Sequence, residues 1–143
     1  MRLSSLFLAM FCTVAVFAVL LYSVGVNFHE PAPAQGAKLY NPANEVLITG
    51  TISEVRNFAC PVSEGEIGTH VMVKTADGVV QVHLAPDRIM RSQKLIFAPG
   101  EQITVLGSKV RLFGHNDMIA RQVTRGNEDI FFRDPKGELL LVQ

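Results

Sequence analysis

A thiol, two imidazoles and a thioether fall close together in the middle of the chain, as Cys60, His70, Met72 and His83. Thiolate, thioether and imidazole together form a donor set suited to Cu(I), with Zn(II) less favoured. Their spacing is not a compact ligand motif such as a C-x-x-C pair. They make a metal site only if the fold gathers them. His70, Met72 and His83 lie on two alternating apolar and polar runs, His70 to Ala76 and Val79 to Ala85, separated by Asp77-Gly78. Asp-Gly between such runs specifies a two-residue type I′ hairpin. That turn sets Lys74 against Gln81 and Met72 against His83, with His70 two residues along on the same face. Cys60 belongs to the loop that leads into the hairpin. The competing reading is structural: His and Met on the outer face of a hairpin are ordinary packing residues, and Cys60 is a buried loop thiol. Its sequence neighbours Arg56, Glu64 and Glu66 give no clear preference for a thiolate. His115, in a Gly-His-Asn-Asp stretch, reads as a turn residue rather than a base.

The elements that must position these residues are mostly strands. Past Asn44, β-prone runs alternate with Gly, Pro and Asp punctuation. A first strand, Val46 to Phe58, carries Gly50 in its middle, as a strand does when it bends between two sides of a barrel. An irregular loop, Ala59 to Thr69, leads to the hairpin strands. The hairpin's core face holds Val71, Val73, Thr75, Val80, Val82 and Leu84, and its outer face His70, Met72, Lys74, Gln81 and His83. A short helical turn from Pro86 to Gln93 has Pro and Asp at its start. Strands Gln102 to Phe113, interrupted by Gly107, and Met118 to Thr124 follow, joined by a turn at Gly114 to Asp117. A terminal hairpin pairs Ile130 to Arg133 with Glu138 to Val142. Five strands with a helix between the third and fourth is the order of an OB-like barrel. An SH3-like or other small barrel is the alternative.

The chain's ends and charge narrow the setting. Leu3 to Phe28 holds about 26 residues without a charge, against roughly 20 needed to span a bilayer. Arg2 precedes the run and Glu30 follows it, an arrangement that leaves the rest of the chain outside the cytoplasm. The expected organisation is residues 1–30 as a transmembrane anchor or signal segment, 31–44 as a flexible linker, and 45–143 as the barrel. The anchor crosses the inner membrane through residues 3–28 and exposes the barrel on the periplasmic or extracytoplasmic side. Cleavage near Ala34, after Ala32-Pro33-Ala34, is the alternative and also exports the domain. Cys12 lies inside the apolar run, so the two cysteines do not pair with each other. The chain carries 13 basic and 13 acidic side chains. Such neutrality disfavours nucleic-acid binding, as does the lack of an aromatic among the outer-face residues of the hairpin.

The stretches "PGEQITVLGSKV" and "MIARQV" resemble the fourth and fifth strands of bacterial exported, membrane-anchored single-domain OB-fold proteins. "GTHVMVKTADGVVQVHLAP" resembles their second and third strands, and "FFRDPKGEL" their terminal hairpin. The resemblance covers about 100 residues and implies the fold; the group is largely uncharacterised and implies no single function. The layout is also similar to the periplasmic haem chaperone of cytochrome c maturation, which attaches haem through His-x-x-x-Tyr after the last barrel strand. Thr124 to Asp129 stands there in this chain and holds neither residue, which excludes haem carriage. Copper-binding OB domains of efflux systems place Met and His on barrel strands as here, but with a tryptophan cap that this sequence lacks.

The favoured expectation is a non-enzymatic binding or scaffolding module of the cell envelope with an envelope protein partner. Ala59 to Thr69, Gly114 to Asp117 and the second and third strands would form its surface, and an exposed Phe131 or Phe132 would mark that partner. The first alternative is a copper-type metal-binding protein using His70, Met72, His83 and Cys60. The second is a single-stranded nucleic-acid binder. None of G-x-S-x-G, H-E-x-x-H or a phosphate-cradling glycine loop occurs, so no catalytic residue is assigned.

Overall fold

The computed structural model describes residues 38–140. The anchor or signal segment, the cleavage position and Cys12 lie outside the described residues.

Six strands run in chain order: β1 (Glu45–Ala59), β2 (Ile67–Thr75), β3 (Gly78–Pro86), β4 (Gln102–Leu112), β5 (His115–Arg125) and β6 (Glu128–Phe131). The sheet order is β3-β2-β1-β4-β5-β6, and an additional parallel pairing of β3 with β5 bends the first five strands into a near-closed ring. A short helix, α1 (Asp87–Ser92), follows β3. This is the expected OB-like order with a sixth strand added. β1 serves both sides of the ring: Glu45 to Thr51 pair with β4, and Thr51 to Ala59 with β2. Its register shift falls between Ile52 and Glu54, just past Gly50. At Gly50 a Cβ would collide with the Lys74 carbonyl, so the close approach of β2 requires glycine there.

The core lies inside the ring. Val71, Val73, Val82, Leu84, Val105 and Val123 are buried inward-facing strand residues, and Ile89 and Met90 of α1 with Phe97 plug one end. Each fully buried aliphatic side chain contributes about 1.5–3 kcal/mol relative to its exposed state. Arg133 is also buried, donating from Nη1 to the Leu84 and Ala120 carbonyls at 2.6 and 2.7 Å. Those carbonyls belong to β3 and β5, just past the last parallel pair, His83 with Ile119. The guanidinium thus replaces ladder hydrogen bonds where the ring closes.

Three sequence expectations are corrected. The β2–β3 turn centres on Ala76 and Asp77, with Thr75 opposite Gly78, rather than on Asp77-Gly78. A type I′ turn needs positive φ at both central residues; only Gly78 has it (φ 130°), and it opens the returning strand, while Thr75 Oγ1 accepts from the Asp77 amide. The register therefore moves by two residues, which keeps every side chain on its expected face. The β4–β5 connection is tighter than expected, Phe113-Gly114, with both residues at positive φ, so Asp117 sits in a strand instead of a turn. The terminal hairpin is shorter than expected: Asp134 N donates to the Glu138 carbonyl and Leu140 N to the Phe132 carbonyl, each at 2.9 Å, around the Asp134–Gly137 turn. Glu128–Phe131 pairs with β5, and the hairpin's own ladder is reduced to the Arg133–Leu139 bridge and those two flanking bonds. The Gly126 turn (φ 59°) brings β6 back on β5 before the Asp134-Pro135 turn is reached.

Candidate functional site

The two-residue shift of register has a direct chemical result. His83 faces His70 across the β2–β3 ladder, and Met72 faces Gln81. The histidines were expected on an outer, half-exposed face, yet they are 0% and 3% exposed. A second, smaller hydrophobic cluster covers them, built from Tyr40, Cys60, Val62, Leu112 and Ile119 with Leu39, Phe58 and Val110 at its edge. Two features hold that cover in place. The Tyr40 hydroxyl donates to Glu45, whose carboxylate also accepts from Arg121 Nη2 at 3.1 Å, tying the chain ahead of β1 onto β1 and β5. Tyr40 lies inside the stretch assigned to the linker, so ordered packing begins before residue 45. The second feature is a 3-10 turn, Pro61–Ser63, which begins at Cys60 and folds the thiol inward.

Three of the four candidate ligands converge. Cys60 Sγ lies 3.2 Å from His70 Nε2 and 3.6 Å from His83 Nδ1, and Ser63 Oγ is 3.4 Å away. The three ligand atoms of Cys60, His70 and His83 all fall within 4.8 Å of one another. The His70 ring stacks on Phe58 with centroids 3.9 Å apart and meets His83 edge-on at 4.5 Å. Met72 is half-buried at the next position along the same face, beside the cluster instead of opposite His83.

Asp117 and Gln81, expected only on the broader binding surface, join the cluster itself. His83 Nε2 is 2.8 Å from Asp117 Oδ2, which also accepts from the Gln81 amide at 2.9 Å. Parallel pairing of β3 with β5 sets Gln81 against Asp117 and creates this contact. The Asp117 carboxylate on Nε2 orients the ring and points Nδ1 at the sulfur. Ser63 is packed close by Gly68, where a Cβ would strike its hydroxyl and crowd the His70 ring.

The electrostatics favour a thiolate. Burial pushes the Cys60 thiol up, but hydrogen bonds from His70, His83 and Ser63 outweigh it and hold the group at about 5. Burial draws the Arg133 guanidinium down to about 10, against attraction from Tyr40 and Cys60, so it stays cationic at neutral pH. Of the other candidates, His115 is exposed on β5, Phe131 is about half exposed and Phe132 is fully buried.

Residues 44–130 match the family model described as the MamS/MamX magnetosome protein family, well over half of the chain. The chain belongs to the MamS/MamX magnetosome protein family. The matched segment contains the whole five-stranded ring and every member of the cluster: Cys60, His70, His83 and Asp117. No curated protein matches the chain. Among solved structures, it is similar to a chain of the Stn1-Ten1 complex of S. pombe, at 20% identity and a TM-score of 0.44, over 64% of this chain and 60% of that one.

Proposed function

We propose that this MamS/MamX-family domain is a non-catalytic binding module whose ligand is a single transition-metal ion, held by Cys60 Sγ, His70 Nε2 and His83 Nδ1. The observation that carries the proposal is the size of the triangle these atoms make. Separations of 3.2 Å, 3.6 Å and at most 4.8 Å leave a point about 2.4 Å or less from all three, against bonds of about 2.0–2.3 Å to imidazole and thiolate. A metal fits after a contraction of a few tenths of an ångström. The thiolate supplies charge, Asp117 orients His83 from the outer shell, and the apolar cover excludes water. One thiolate and two imidazoles, with only a neutral hydroxyl near a fourth position, favour copper over zinc, because tetrahedral zinc needs a fourth donor.

The setting proposed with it follows the uncharged run Leu3 to Phe28, an anchor in the cytoplasmic membrane with the barrel on its outer side; membership in a magnetosome family supports the membrane association. X-ray absorption of the copper-loaded full-length chain tests the reading. One sulfur and two imidazole nitrogens around the metal are expected, and a shell of oxygens would overturn it. A second reading, an envelope protein partner, draws on Phe113, 80% exposed at the β4–β5 tip, and on Phe131. Cross-linking from position 113 to one reproducible membrane partner, lost in Phe113→Ser, would support it.

A further inference from the structure

The β4–β5 hairpin has two faces with different tasks. Val110, Leu112, Asp117 and Ile119 turn toward the cluster that covers Cys60, His70 and His83. The register pairs Lys109 with Met118 and Arg111 with Asn116, which places these residues on the opposite, barrel-side face. There the hairpin overhangs the end of the ring that α1 does not plug: Val80 lies near the start of β3, whereas α1 follows its end. A cavity of about 440 Å³ opens at this mouth, lined by Ile48, Val80, Met118, Lys109, Arg111 and Asn116, with Val110 and Asp117 in the hairpin wall. That volume is within the range that takes small organic ligands.

We infer that the open mouth of the barrel binds a small organic carboxylate, its hydrocarbon body on Ile48, Val80 and Met118 and its charge on Lys109 and Arg111. The inference is independent of the metal reading. Lys109 and Arg111 are both exposed, and neither forms an ion pair among the described residues. The exposed Lys74 and Lys94 also lack an ion pair, but Lys109 and Arg111 stand together on the rim of the cavity. Two unneutralised cations beside an apolar floor complement an anion with an apolar body. The guanidinium fork matches a carboxylate, and Asn116 offers an amide donor on the same rim.

The test uses the full-length chain in a zwitterionic detergent, with Met, Ile and Val methyl groups labelled for NMR. The probe is 2-naphthoate, beside neutral 2-naphthamide of the same shape. Naphthoate is expected to shift the Ile48, Val80 and Met118 methyl signals saturably, and naphthamide to bind about tenfold or more weakly, as loss of a charge-assisted bond implies. Lys109→Gln with Arg111→Gln is expected to remove that preference while the remaining methyl signals stay in place. Equal binding of the two probes, shifts confined to other methyls, or a preference that survives the double substitution would each overturn the site.

Discussion

At the scale of single residues, the site turns on a thiol surrounded by nitrogen. Cys60 is held at about 5 by His70, His83 and Ser63 despite its burial. The ultraviolet absorbance of its thiolate should therefore persist in the metal-free protein down to about pH 5, and His83→Ala should move that transition upward. In a Cys12→Ser background, a transition near the ordinary thiol value would contradict the hydrogen-bond account. Asp117 acts one shell further out. Asp117→Ala leaves all three proposed ligands in place but frees the His83 tautomer, so metal affinity is expected to fall about 10- to 100-fold. A competition titration with a chelator of known affinity measures that loss, and an unchanged affinity would remove Asp117 from the site.

At the scale of elements, the site depends on where strands change partners. The alternation around Asp77 assigned each hairpin side chain to its face, because the period of a strand is two whatever the turn. The choice of Met72 or His70 as the partner of His83 was not legible. It depends on whether Gly78 sits inside the turn or just after it, and Asp-Gly allows both. Asp117 was not legible either, since its contact with His83 comes from a parallel pairing of strands far apart in sequence. The burial of His70 has the same origin: its cover comes from Tyr40, Val62 and Leu112, on three other segments. Gly68 is the element-level control on the geometry. Gly68→Ala should displace Ser63 and the His70 ring and weaken metal binding, while circular dichroism of the strands stays unchanged. At the ring's closure, Arg133→Met would leave the Leu84 and Ala120 carbonyls without their donor. Each buried unmet group costs about 1–3 kcal/mol, so denaturant melts should show a loss of several kcal/mol.

At the scale of the whole molecule, the OB-like ring presents one covered side and one open mouth. α1 with Phe97 closes the opposite end, and the β4–β5 hairpin divides the covered metal cluster from the mouth. The charge state of Cys60 also links the site to stability. A group whose folded pKa is depressed contributes stability that is full above its unfolded value and lost as pH falls through the folded one. For Cys60 that window runs from about 9.0 down to about 5. Relative to Cys60→Ser, the metal-free chain should lose stability steadily as pH falls through that range, and parallel melting curves for the two proteins would contradict the linkage. A bound metal adds to stability by mass action and should raise the melting temperature of the parent chain but not of Cys60→Ser.

The most direct test of the central claim is a Cu(I) titration of the full-length chain against a competing chelator, beside Cys60→Ser, His70→Ala and His83→Ala. One equivalent of copper per chain, bound in the parent and lost in each variant, is the predicted result. Binding that is absent in the parent, or that survives all three substitutions unchanged, would contradict a metal centre at Cys60, His70 and His83.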